Sequence, residues 1–157
     1  MKLMEPTIRW CVLKNDTPDV LRIDKACYPP GARLTDDDLA MLCRRHIVVV
    51  SQNERDRITG YCAYSLADDH YQILRLAVPR AYRRCGFATE MIGRLLGRMV
   101  SQGYNRTRIV ALVDGRQVEA QMFFSVIGFR AEVVPDTDTM LFTYRVEELV
   151  DWRNCDY

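Results

Sequence analysis

The stretch YQILRLAV-PRAYRRCG-FATEMIGRLLGRMVSQG (71–103) constrains the fold most. Its first part is rich in β-formers and reads as a strand. Its last part, 87–103, has apolar residues at 87, 88, 91, 92, 95, 96, 99 and 100, the spacing of a helix with a broad apolar face. Gly103 is its expected stop. Gly93 and Gly97 are costly inside a helix, which implies close packing against a neighbour. RTRIVALVD (106–114) follows as another strand. A strand, a helix and a strand in succession imply a parallel pair.

The rest of the chain extends this unit in both directions. TIRWCVL (7–13) reads as a strand. TPDVLRIDKACY (17–28) reads as a helix with Thr17 as cap and Pro18 at the first helical position, ended by PPG. TDDDLAMLCRRH (35–46) has a Thr cap, acids at its start and bases at its end. IVVVSQN (47–53), ITGYCAYSLA (58–67) and YQILRLAV (71–78) are strands, the last two joined by a tight turn at Asp68, Asp69 and His70. RQVEAQMFFSVIG (116–128) reads as a helix, and FRAEVVP and MLFTYRV as closing strands around PDTDT. The order β-α-α-β-β-β-α-β-α-β-β predicts an α/β (α+β) fold: a mixed sheet of six or seven strands with about four helices on both faces. No repeat, low-complexity stretch or linker divides residues 1–157, so one domain is expected.

Composition narrows the function classes. A net charge of +1 makes no demand for nucleic acid or an anionic membrane. No apolar run reaches the roughly 20 residues that span a bilayer. The start, MKLMEPTIRW, lacks the pattern of a secretory signal. The six cysteines (11, 27, 43, 62, 85 and 155) have no C-x-x-C spacing and are expected to be reduced thiols of a cytoplasmic protein. With His46 and His70 as the only histidines, no metal site is expected.

The turn between strand and helix is the candidate binding element. A helix N-terminus presents unpaired N–H groups and about half a positive charge, so a strand that turns into a helix makes an anion site. Arg80, Arg83 and Arg84 add charge there, Gly86 lets a backbone approach closely, and Thr89 adds a hydroxyl. The alternative is a solvated basic turn. Other phosphate loops do not fit. The dinucleotide fingerprint G-x-G-x-x-G needs three glycines, and the P-loop needs G-K-S/T.

Arg83, Arg84, Cys85, Gly86, Phe87 and Ala88 match the pattern R/Q-x-x-G-x-G/A, after a Leu76-Ala77-Val78 strand end and some 40 residues before FFSVIGF. In this the chain resembles the GNAT acetyltransferase superfamily. It also resembles, more weakly, the ribosomal-protein N-terminal alanine acetyltransferases. The resemblance implies an N-acetyltransferase that uses acetyl-CoA as co-substrate. N–H groups from Arg84 to Ala88 would bind the pyrophosphate, with charge from Arg83 and Arg84. The end of the strand at Leu76, Ala77 and Val78 would pair with the pantetheine. A backbone N–H near Ala77 or Val78 would hold the oxyanion. The chain departs from the family at Pro79, which follows Val78 directly and leaves Arg80 at the usual proline position. Cys85 is a candidate reactive thiol, with a mixed disulfide to CoA as its chemistry, or an inert side chain pointing away.

The family's catalytic groups are missing. The tyrosine that protonates the leaving sulfur in many members corresponds to Phe124, which would still pack against the pantetheine end, while Phe123 is expected in the core. The usual glutamate base corresponds to Gln72. The glutamate of the alanine acetyltransferases corresponds to Leu112. Alternation puts His70, Gln72, Leu74 and Leu76 on one face and Tyr71 on the other. Histidine can serve as a base near neutral pH, so His70 is a candidate, against a plain role in capping the hairpin turn. Asp114 is a second candidate base, against a plain helix N-cap. Tyr28, Tyr71 and Tyr144 are candidate acids that sequence leaves unranked.

A missing base bears on the acceptor. At pH 7.4 a lysine amine is about 0.1% neutral and an α-amine about a quarter neutral. The expected acceptor is therefore an amine at a protein or peptide N-terminus. The alternatives are an acyl-CoA-binding pseudoenzyme or sensor, and a small-molecule acetyltransferase. A polyamine site would need carboxylates such as Asp36, Asp37 and Asp38, which also suit a helix N-terminus. Residues 27–35 and 135–139 would line the acceptor side. The tail LVDWRNCDY (149–157) leaves monomer or homodimer open.

Overall fold

A computed structural model describes residues 6–102 and 107–146. In chain order the elements are β1 (Thr7–Trp10), α1 (Leu13–Cys27), α2 (Asp36–Arg45), β2 (Ile47–Gln52), β3 (Ile58–Leu66), β4 (His70–Ala77), α3 (Phe87–Ser101), β5 (Arg108–Asp114), α4 (Val118–Val126), β6 (Arg130–Val133) and β7 (Thr139–Arg145). Short 3-10 turns occupy Pro30–Ala32 and Arg80–Tyr82. The described strands form one sheet in the order β1-β2-β3-β4-β5-β7-β6. β4 and β5 run parallel, and the pairs β1/β2, β2/β3, β5/β7 and β6/β7 run antiparallel. The mixed sheet with four helices expected from the sequence is therefore present. The chain divides into two compact units, Met1–Ser65 with Arg75–Leu95, and Leu66–Leu74 with Leu96–Tyr157.

In the first unit, α1 and α2 turn Val20, Ile23 and Leu39 onto Val48, Val50, Ile58, Tyr61, Ala63 and Ala77. α2 begins as the sequence predicts. Thr35 accepts from the Asp38 N–H, and the Asp38 carboxylate accepts from the Thr35 N–H, a complete capping box. α1 does not begin as predicted. It starts at Leu13, so the expected strand ends early at Trp10 and Pro18 lies inside the helix. The cause is Asp16, which is buried. Its carboxylate accepts from the Val12 N–H at 2.7 Å and takes both Arg9 terminal nitrogens, at 2.7 and 2.9 Å. Thr17 does not cap; its hydroxyl donates to the Leu13 carbonyl at 2.7 Å.

The second unit is built on β5 and β7, paired from Arg108↔Arg145 to Asp114↔Thr139. Its core holds Tyr71, Ile109, Ala111, Val113, Phe124, Phe129 and Phe142. Phe124 is 4% exposed and lies 5.0 Å from Phe129 and 5.6 Å from Phe142, ring centre to ring centre. Phe123 is only half-buried, so the expected order of the two is reversed: Phe124 is the core ring.

Along α3, residues 87, 91, 92, 95 and 99 are buried. The close packing expected at Gly93 and Gly97 is absent: a Cβ at either meets nothing within 4 Å. Gly103, the expected stop, lies outside the described residues, as do Cys155 and the tail. The five described cysteines (11, 27, 43, 62 and 85) are free. Among the described residues, no helix is long and apolar enough to cross a membrane, and no cluster of His, Cys, Asp or Glu could hold a metal ion.

Candidate functional site

β4 delivers the first part of the site. Its pairing with β5 runs from His70↔Arg108 to Ile73↔Ala111, after which β4 continues through Leu74, Arg75, Leu76 and Ala77. Burial alternates along its first half. Tyr71 and Ile73 are buried, while His70 and Gln72 are half-buried and Leu74 is exposed. Tyr71 therefore does face away from Gln72. At the other end, Ala77 is buried and comes close to β3. A Cβ on Gly60 would meet the Ala77 carbonyl and a Val78 methyl, each at 2.8 Å, so only glycine allows the approach.

After Ala77 the chain turns sharply. Pro79 precedes the 3-10 turn at Arg80–Tyr82, and the chain then reaches α3 through Arg83, Arg84, Cys85 and Gly86. Arg84 and Gly86 both have positive φ, 64° and 83°. Left-handed residues within a short turn point successive N–H groups into one concavity. Among the described residues, no protein acceptor takes the N–H groups of Arg84, Cys85, Gly86, Phe87 or Ala88. The Gly86 carbonyl already accepts from Glu90, so the helix starts here and its dipole points into the same place. These N–H groups form a cradle with the geometry to receive an anion. Thr89 is exposed on the first turn of the helix.

The arginines have distinct placements. Arg83 turns back, its Nε donating to the Val78 carbonyl at 2.9 Å, which braces the turn against the strand end. It also lies near Cys27, whose thiol burial pushes up and Arg83 pulls partly down. Arg84 is exposed. Cys85 is exposed too, its thiol 3.6 Å from the Arg83 carbonyl oxygen.

A second network, invisible in the sequence patterns, sits beside the end of β4. Arg75 donates to Asp24 Oδ1 at 2.6 Å, to the Tyr61 hydroxyl at 3.0 Å and to the Ala32 carbonyl at 2.7 Å. Asp24 is fully buried and also accepts from the Leu34 N–H at 2.7 Å and from the Tyr61 hydroxyl. The Arg75 guanidinium lies 3.8 Å over the Tyr28 ring. The Tyr28 hydroxyl is 3.4 Å from both the nitrogen and the carbonyl oxygen of Leu76. Burial pushes the Tyr28 phenol above its usual range, and Arg75 opposes this in part. Residues 28–34 are thus fastened to the last residues of β4. The available signal was the one charged residue, an arginine, inside the strand YQILRLAV, where a buried charge needs a partner.

The candidate bases fall in the second unit. His70 Nδ1 is 2.7 Å from Asp69, which also accepts from Arg108 at 2.7 Å. His70 and then Arg108 hold the Asp69 carboxyl below its usual range. Asp114 accepts from the Arg116 N–H at 2.8 Å and from the Arg116 guanidinium, which lowers its carboxyl from the ordinary value. It closes a turn but does not cap α4, whose N-cap is Gln117. Leu112 is exposed. Gln72 is half-buried, opposite Val110 of β5. Asp36, Asp37 and Asp38 are exposed in the first turn of α2, with Asp38 serving the capping box.

Residues 17–129 match the family model described as the Acetyltransferase (GNAT) family. The chain belongs to this family of acetyltransferases. Solved structures share its fold. They include ribosomal-protein-S18-alanine N-acetyltransferase from Escherichia coli, at 14% identity and TM-score 0.72, covering 90% of this chain and 94% of that one. Ard1 from Thermoplasma volcanium matches at 20% identity and TM-score 0.72, over 89% and 97% of the two chains. PaiA N-acetyltransferase from Thermoplasma acidophilum, solved in complex with coenzyme A, matches at 12% identity and TM-score 0.78, over 90% and 99%. Comparison with curated protein sequences finds no match.

Proposed function

We propose that residues 1–157 form a single cytoplasmic acetyltransferase domain that moves the acetyl group of acetyl-CoA directly onto an amine, the α-amine of a protein or peptide. The observation that carries the reading is the run of N–H groups from Arg84 to Ala88 with no protein acceptor among the described residues, at the start of α3. Such a cradle suits the pyrophosphate. Arg84 brings charge, and Arg83 keeps its charge beside the cradle while bracing it. Thr89 is within the same helical turn. The pantetheine follows the main chain of Leu76, Ala77 and Val78, and an N–H at Ala77 or Val78 receives the oxyanion of the tetrahedral intermediate.

The weak basicity of the site supports the α-amine. Asp114 is held as an anion by Arg116, and Gln72 cannot take a proton. An amine that is already partly neutral needs the least help. His70 is the remaining candidate base, through its ring nitrogen away from Asp69. The E. coli neighbour's name, a ribosomal-protein-alanine acetyltransferase, agrees with a peptide acceptor.

The test is CoA release from acetyl-CoA with two peptides, one offering only an α-amine and one only a lysine side chain. Faster transfer to the α-amine is expected, and faster transfer to the lysine overturns the acceptor assignment. A second reading, an acyl-CoA-binding pseudoenzyme, draws on the buried, hydroxyl-free Phe124 and on Leu112. Acetyl-CoA binding without CoA release across protein, amino-acid and polyamine amines would establish it.

A further inference from the structure

The leaving thiolate needs a proton, and Phe124 has no hydroxyl to give one. We propose that Tyr28 supplies that proton, as a catalytic residue at the end of β4. The inference rests on the acetyl-CoA site proposed above and adds an acid to it.

Three observations carry it. First, the Tyr28 hydroxyl stands 3.4 Å from both polar main-chain atoms of Leu76, the first of the residues along which the pantetheine is proposed to lie. Both contacts are long for hydrogen bonds, so the hydroxyl is held near the strand end without being committed to it. Second, Arg75 lies 3.8 Å over the Tyr28 ring and is itself fixed by Asp24, Tyr61 and the Ala32 carbonyl. A guanidinium there orients the ring and stabilises the phenolate left after proton transfer. Third, the other described tyrosines are engaged elsewhere. Tyr61 is fully buried on Asp24, Tyr71 is fully buried with its hydroxyl donating to Gln102 at 2.7 Å, and Tyr64 is 2% exposed. Tyr144 packs on Phe129, and Tyr82 stands edge-on to Phe87. Tyr28 is only partly buried, and its hydroxyl stands at the main chain of Leu76. Burial also keeps its phenol protonated through the neutral range.

The step balances without a further reagent. The amine attacks the thioester carbon, and the intermediate collapses with cleavage of the C–S bond. The electron pair leaves with sulfur, which takes the Tyr28 proton to give the CoA thiol. The proton that the attacking nitrogen loses on becoming an amide returns to the phenolate.

Tyr28→Phe removes the hydroxyl and keeps the ring under Arg75. The experiment compares single-turnover acetyl transfer by the unmutated protein and this variant, at saturating peptide α-amine, from acetyl-CoA and from the acetyl selenoester of CoA. A selenolate is a much weaker base than a thiolate and leaves without a proton. The variant is expected to lose about 100-fold with the thioester, the scale of general acid catalysis, and only about threefold or less with the selenoester, at an unchanged thermal midpoint. An equal loss with both donors makes Tyr28 a positioning residue and overturns the proposal, as does a variant as active as the parent. If the unmutated protein transfers from neither donor, the proposed function falls and takes this inference with it.

Discussion

The two ends of β4 are held by arginine–aspartate networks of opposite character. At its start, Asp69 bridges His70 and Arg108 with 65% of its side chain exposed. At its end, Asp24 and Arg75 pair at 2.6 Å with side chains 1% and 17% exposed. A solvated pair contributes little to stability and holds little in place. A buried pair loses its hydration and is tolerated only when hydrogen bonds are complete, which the Asp24 carboxylate achieves with Arg75, Tyr61 and Leu34. Apolar side chains would fill the same space at lower cost. What they would not do is fasten Ala32 and Leu34 to the end of β4 and hold the Tyr28 ring beside it. The comparison teaches that the charge at the end of β4 is kept for position.

The largest expected effect comes from breaking the buried network. Asp24→Asn leaves Arg75 without its charge partner and should cost about 3 kcal/mol in urea unfolding. The double replacement Asp24→Leu with Arg75→Met should retain more stability than either single change yet still lose acetyl transfer. A double variant with full transfer would refute the positional role.

The Arg9–Asp16 pair sharpens the comparison, since it is half-open, with side chains 33% and 4% exposed. The Arg9 fork, assisted by the Val12 N–H and opposed by burial, holds the Asp16 carboxyl below its usual range. Its folded pKa is thus depressed. The stability it contributes is fully present above the unfolded value of about 3.9 and is lost as pH falls through the folded one. Arg9→Met should cost about 2 kcal/mol at pH 7, within the range of charged hydrogen bonds, and flatten the loss of stability below pH 4. Unfolding midpoints from pH 7 to pH 3 measure both.

Smaller effects follow where nothing is held. Gly93→Ala and Gly97→Ala meet no neighbour and should each stabilise by about 0.5–1 kcal/mol, read as a higher thermal midpoint. Asp69→Asn should leave the unfolding midpoint within experimental scatter. A shift as large as that of Asp24→Asn would break the comparison.

Much of the fold was legible because its signals are local. The Thr35 capping box, the apolar period along 87–101 and the alternation of β4 are set by neighbours in sequence, and they stand where expected. The start of α1 was not legible. Thr17-Pro18 has the form of a cap, but the decisive contacts reach from Asp16 back to Arg9 and Val12. The turn into α3 was legible from Gly86, although the positive φ of Arg84 and the turn of Arg83 onto Val78 were not. Least legible was the pairing of Asp24 with Arg75, 51 residues apart, which only folding brings together. Asp114 shows the converse: its position before a helix suggested a cap, and the added turn to Gln117 makes it the anchor of Arg116.

The most direct measurement is a crystal structure of the protein with CoA bound. The pyrophosphate oxygens should lie within hydrogen-bond distance of N–H groups in the run from Arg84 to Ala88, with the pantetheine along Leu76, Ala77 and Val78. A pyrophosphate bound elsewhere, with that run of N–H groups left to water, would contradict the account.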